Sequence, residues 1–149
     1  MGLDLSRKVT NLTNPKRIGS SNEPFTIGDY VLLEYQMDAV NDAYQVELAE
    51  HLPAGLEMVN PDLPSVQRNF PVPPVDENET VGLSHVDRRM DRVLLYFEHL
   101  APGTRKYAVL TRVVGAGEFH WPAASAVPIY DKRVQASTVD TLIHSRAGE

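Results

Sequence analysis

The stretch HLPAGLEMVNPDLPS, residues 51–65, follows a run of clean polar–apolar alternation and leads into a proline-rich region. It is either a loop that holds a ligand or the end of one strand of a β-sandwich, and the fold turns on the choice. Pro53 has no N–H to donate to a ladder, and Gly55 is free to take positive φ. Pro61 and Pro64 keep the chain extended beyond them. The stretch therefore reads as a strand ending.

Upstream, the period is two. In YVLLEYQMDA, residues 30–39, Val31, Leu33, Tyr35, Met37 and Ala39 share one face and mixed residues the other, which marks a half-buried strand. Ile27-Gly28-Asp29 supplies the turn before it. AYQVELAE, residues 43–50, resumes the alternation with Tyr44, Val46 and Leu48 on one face. With Asn41-Asp42 between them, the two segments are expected to form a hairpin.

Downstream, VPPVDENET adds Pro73 and Pro74 and no helical period, so residues 60–80 read as a long crossing from one sheet to the other. VGLSHVD, VLLYFEHL and RKYAVLTRVV follow as strands, with weaker ones around EFHWPAASAV and STVDTLIHS. Arg89-Met90-Asp91 and Ala101-Pro102-Gly103-Thr104 are turns, and Gly115-Ala116-Gly117 reads as a hairpin turn. LDLSRKVTNL at the front fits an edge strand. No segment of helical length shows a 3.6-residue period. The expectation is one all-β domain, an antiparallel β-sandwich of about seven to nine strands spanning residues 1–149.

Composition narrows the function. A formal net charge of −6 argues against nucleic acid, because phosphate neutralisation needs clustered Lys and Arg. Arg88, Arg89 and Arg92 alternate with Asp87 and Asp91, a mixed surface. The chain has no cysteine, which removes disulfides, thiolate nucleophiles and thiolate metal sites together. No stretch approaches the ~18 apolar residues that cross a bilayer. MGLDLSRKVTNL lacks the apolar core of a secretory signal, and Met1-Gly2 is compatible with a start placed on a piece of a larger protein.

Candidate chemistry is sparse. His51, His85, His99, His120 and His144 are the residues poised to titrate near neutrality. His85 and Asp87 share a strand face near Asp91, but no third and fourth metal ligand follows at a known spacing. Ser84-His85 has no nucleophile elbow around it. Gly115-x-Gly117 has no lysine and opens no helix, so it holds no phosphate. The DENET cluster, residues 76–80, reads as a solvated loop more readily than a calcium site. No catalytic, cofactor-binding or metal-ligating residue is assigned. Trp121, beside Pro122, anchors a sheet corner or meets a partner. Tyr130, between Pro128 and Asp131-Lys132-Arg133, sits on a protruding loop suited to partner contact, or is buried and hydrogen-bonded to backbone.

Several of these pieces, in order, resemble a known family. Gly28-Asp29 opens a strand, and Leu52-Pro53-Ala54-Gly55-Leu56-Glu57 ends the next. Arg89-Met90-Asp91-Arg92-Val93 and Leu100-Ala101-Pro102-Gly103-Thr104 flank another strand, and Pro122 to Val127 runs into Ile129-Tyr130-Asp131. The order resembles the C-terminal, tenth macroglobulin-like module of bacterial α2-macroglobulin-like proteins, across residues 2 to 146.

The resemblance implies a macroglobulin/immunoglobulin-like sandwich inside a larger, envelope-associated protease inhibitor of bacterial defence. In that family a bait segment is cleaved, the protein rearranges, and a reactive thioester couples to the protease. The thioester needs a Cys, which this chain lacks. The module is then no enzyme and needs no cofactor. It packs beside the thioester-bearing domain and helps keep water off the bond, with Ile129, Tyr130, Asp131 and Trp121 as contact residues. The family often has Met where Ile129 stands. Some relatives lack a thioester, and the same surface is then an ordinary interdomain interface.

The implied partners are other domains of the same polypeptide or operon-encoded proteins, with the target protease met indirectly. The implied location is the periplasm or cell envelope. Two rival readings stand beside this one. One is a generic bacterial adhesin-type sandwich whose exposed aromatics cluster away from Tyr130. The other is an enzyme in which His85 or His120 meets a carboxylate and a nucleophile in a pocket.

Overall fold

The computed structural model describes residues 2–59, 83–89, 91–129 and 135–148, the backbone alone for 83–89. The chain order is β1 (Leu3–Asn11), β2 (Phe25–Thr26), β3 (Tyr30–Ala39), β4 (Ala43–His51), β5 (Leu56–Met58) and β6 (Leu83–Arg89). It continues through β7 (Arg92–Leu100), β8 (Gly103–Val113), β9 (Gly117–Trp121), β10 (Ser125–Pro128), β11 (Ala136–Ser137) and β12 (Thr141–Arg146). The described residues contain no helix, and so none able to cross a membrane. Short pieces such as β2, β5 and β11 carry the strand number past the expected seven to nine.

The strands make one sheet in the order β1-β3-β8-β5 and a second in the order β11-β10-β4-β7-β6. A small third sheet, β2-β12-β9, caps the stack. All pairings are antiparallel except β2 with β12. The alternation in β3 has the foreseen consequence: Val31, Leu33, Tyr35, Met37 and Ala39 are buried. They meet Val46 and Leu48 of β4 and Val93, Leu95 and Phe97 of β7 from the facing sheet. This is sandwich packing, two pleated layers sharing one core. LDLSRKVTNL forms the expected edge strand, running from Leu3 opposite Ala39 to Asn11 opposite Val31.

Several local expectations need correction. β3 and β4 are not a hairpin: β3 pairs with β1 and β8, whereas β4 pairs with β7 and β10. Each strand has an apolar face, and placing them in opposite layers buries both faces against each other. The Gly115–Gly117 segment is likewise no hairpin turn, because β8 belongs to the first sheet and β9 pairs with β12. Gly117, at φ 139°, turns the chain from one sheet into the other. By contrast β6 and β7 do form a hairpin, with Arg89 opposite Arg92.

The described part of the stretch, residues 51–59, is a strand end. β4 stops at His51, Leu52 N–H donates to Asp91 O at 2.8 Å, and Leu56 N–H donates to Pro53 O at 3.0 Å, closing a turn. The turn lifts the chain from the second sheet into the first, where Leu56 pairs with Val113. Gly55 does not take positive φ. Its lack of a Cβ serves packing: a Cβ there would lie 2.7 Å from the Phe119 ring. Residues 60–80, read as the crossing, lie outside the described residues, although the strands on either side are in different sheets.

Candidate functional site

Of the four residues expected at a partner surface, two are described. Ile129 follows β10 and is 46% exposed, its N–H donating to Gln45 O at 2.9 Å. Pro128, buried beside Val46, anchors it from the strand side. Tyr130 and Asp131 lie outside the described residues. Trp121 is in the core at 1% exposure, with its ring packed under the Arg7 guanidinium, 4.1 Å from the ring centroid.

The structure brings together a polar group that the sequence reading missed. Glu50, on the core face of β4, has no exposed surface. Arg7 Nη1, from β1, donates to Glu50 Oε2 at 2.8 Å and Oε1 at 3.1 Å. Trp121 Nε1 donates to Oε1 at 3.2 Å, and the Tyr35 hydroxyl, from β3, donates to Oε2. Burial, and then the neighbouring Glu50 charge, push the Tyr35 phenol well above its ordinary range despite Arg7. Tyr35 therefore stays a proton donor. A carboxylate saturated in this way is a structural pin, with no lone pair left for acid–base work.

The signal was present in the sequence. Glu50 continues the Val46, Leu48 face of β4, and Arg7 falls between Leu5 and Val9 on β1. Opposite charges on the apolar faces of two strands announce a buried pair.

A second cluster fixes the entry to β3. Asp29, 2% exposed, receives Arg17 Nε at 2.8 Å and Nη2 at 2.6 Å, a two-pronged ion pair. Asn11 Nδ2 and Thr26 N–H each donate to it at 2.9 Å. Burial alone would raise the Asp29 carboxyl, but Arg17, Thr26 and Asn11 outweigh it and hold the group below its usual value. Gly28, at φ 97°, makes the turn that presents it.

The histidines whose side chains are described do not converge. His99 Nε2 lies 2.8 Å from Asp42 Oδ1, with the ring stacked on Tyr44 at a centroid distance of 4.7 Å. His120 and Asp140 face each other across 3.7 Å, both well exposed, and His144 pairs with Glu118 at 3.7 Å. Among the described residues no three His, Asp or Glu side chains gather as metal ligands. His85 and Asp87 are on β6, whose side chains are outside the description.

With this geometry in place, comparison with known proteins is decisive on family. A model of the bacterial alpha-2-macroglobulin MG10 domain matches residues 2–132. The chain belongs to that family. No individually curated protein matches it. Among solved structures, Salmonella alpha-2-macroglobulin reacted with methylamine is similar at 18% identity and a TM-score of 0.74, covering 97% of this chain and 9% of that one. Native Escherichia coli alpha-2-macroglobulin from domain MG7 to the C-terminus matches at 21% and 0.74, covering 98% of this chain and 24% of that one. The trypsin-activated E. coli protein matches at 21% and 0.75, covering 98% and 10%. The chain thus spans between about a tenth and a quarter of the length of these structures, and the likeness carries the macroglobulin sandwich fold.

Proposed function

We propose that this chain is the tenth, C-terminal macroglobulin module of a bacterial α2-macroglobulin-like protease inhibitor in the periplasm or cell envelope, acting as a non-catalytic contact domain. The family match over residues 2–132 carries the reading, and it takes in the segment from Ile129 to Asp131. Ile129 offers an apolar side chain to solvent on a backbone tied to β4, so a partner meets it at little ordering cost. Tyr130 and Asp131, next in sequence, are assigned to the same contact, whereas Trp121 is buried against Glu50 toward the other end of β4.

The partner is the thioester-type domain of the same polypeptide, or an operon-encoded protein. Without cysteine, this module supplies packing and shielding, not the thioester itself. Interdomain faces of this type bury ~600–1,500 Å² and can part when the parent is cleaved.

The test is co-purification of the chain with the remainder of its polypeptide expressed in trans. Ile129→Asp and Tyr130→Ala are expected to reduce capture about tenfold while leaving the thermal midpoint unchanged. Undiminished capture by both variants would refute the assignment of this surface.

A further inference from the structure

Between the outer edge of β1 and the segment from β11 into β12 lies an open groove of about 560 Å³. Val9, Ile18, Val139 and Leu142 line it and remain 38%, 65%, 77% and 55% exposed. Single exposed apolar side chains need no explanation, but four converging on one groove mark an interaction site.

The groove runs along an unpaired backbone edge. No described strand pairs with the outer side of β1. Leu12 N–H donates to Tyr30 O and Val40 N–H to Gly2 O, both at 2.8 Å, so even-numbered residues bond inward to β3. In an antiparallel ladder the alternate residues then turn N–H and C=O outward, here Leu3, Leu5, Arg7 and Val9. The side chains of Leu5, Arg7 and Val9 line the same groove. A main-chain edge beside an apolar groove suits one extended strand.

Arg7 adds the chemical preference. Its side chain is only 5% exposed, yet it lines the groove and meets Glu50 and the Pro122 carbonyl through Nη1 alone. Among the described residues no acceptor stands against Nε or Nη2, the paired donors that match a carboxylate. In a chain with 20 acidic and 14 basic residues, no Asp or Glu lines this groove. The charge of Glu50 lies on the Nη1 side and is held by Tyr35 and Trp121.

We propose that this groove binds an extended apolar peptide segment of another polypeptide, added as a strand to β1, with one acidic side chain on Nε and Nη2 of Arg7. Its alternate apolar side chains pack against Val9, Val139 and Leu142. Ile129 takes no part, so the inference stands or falls separately from the interdomain reading above.

The probe is the strand-forming peptide Ac-Thr-Val-Thr-Glu-Thr-Val-Thr-NH2, whose Val and Glu side chains share one face, titrated into the 15N-labelled chain. Amides of Leu5, Arg7 and Val9 and the Arg7 Nε–H are expected to shift together. A twin peptide with Gln in place of Glu should bind about tenfold more weakly, as should the acidic peptide to Val139→Asp or Leu142→Asp. Those two side chains are solvent-exposed, so the variants keep the fold; Arg7 is left intact because it pairs with Glu50. Three results would overturn the proposal. They are no shift along β1, equal binding of both peptides and all variants, or concentration-dependent self-association through the groove, which makes a second copy its occupant.

Discussion

Glu50 shows how one residue can tie several elements together without doing chemistry. Its four hydrogen bonds come from β1, β3 and β9 and leave the carboxylate saturated. Replacing it by Gln keeps the shape but leaves Arg7, 5% exposed, without a counter-ion. Breaking one side of a buried pair costs about 3–5 kcal/mol. Glu50→Gln should therefore lower the thermal midpoint by roughly 10 °C, and combining it with Arg7→Met should recover part of that loss. Calorimetry on the four proteins of the cycle measures this; additive losses would show that the pair is uncoupled. Asp29 makes a pH-dependent contribution. Its carboxyl is held below the ordinary value of about 4, so the folded chain binds fewer protons than the unfolded one in acid. That stabilisation is complete above the unfolded value and disappears as pH falls through the depressed folded one. Asp29→Asn should cost about 3 kcal/mol near neutrality, with the two proteins converging as pH drops from about 5 toward 2. Urea midpoints across that range decide it, and a gap independent of pH would contradict the linkage.

At the scale of elements, β4 departs from the regular alternation by which it was recognised. Gln45 sits at φ 55°, the left-handed region, in the middle of a strand-forming run. The pleat is interrupted there, so Tyr44 leaves the face it would share with Val46 and Leu48 and stacks on His99 at 59% exposure. A non-glycine residue in this conformation costs roughly 1–2 kcal/mol. Gln45→Gly should match or slightly exceed the parent in stability, whereas Gln45→Val should lose about 1–2 kcal/mol because a β-branched side chain tolerates the region worst. Chemical denaturation of both variants tests this, and a stabilising Val would mean that β4 relaxes into an ordinary pleat. The same strand shows what periodicity conveys. Alternation located β1, β3, β4, β7 and β8, because a half-buried strand writes its face every second residue. It said nothing about which strands pair, and the short link from Ala39 to Ala43 looked like a hairpin although it joins opposite sheets. Pairing is decided by which apolar faces meet in the core, information shared among distant segments. For the candidate site the lesson is similar. Ile129 was legible as an apolar residue after a proline, while the Arg7–Glu50–Tyr35–Trp121 group needed the packing of three sheets to assemble.

At the scale of the whole molecule, that group is where the layers join. Arg7 and Tyr35 belong to the first sheet, Glu50 to the second and Trp121 to the third. The third sheet is small: Phe25, Trp121 and Ile143 are its buried apolar side chains, with Phe119 partly buried against the core, and β12 itself buries only Ile143 and Ser145. Local stability follows buried contact, and weakly packed elements open before the centre does. If the polar pin couples the layers, the chain opens as one unit and amides of β9 exchange with a free energy close to that of β3, β4 and β8. Glu50→Gln should then lower protection in all four strands by a similar amount in native-state hydrogen exchange. If the third sheet is merely apposed, the variant will loosen β9 and β12 while β3 and β8 keep their protection to within experimental error. The first result makes the sandwich a rigid platform on which both the Ile129 end and the β1 groove are fixed in relation to each other. The second makes the wall of the groove formed by Thr141 and Leu142 movable relative to β1, and peptide binding there would then tighten protection in β12 on titration.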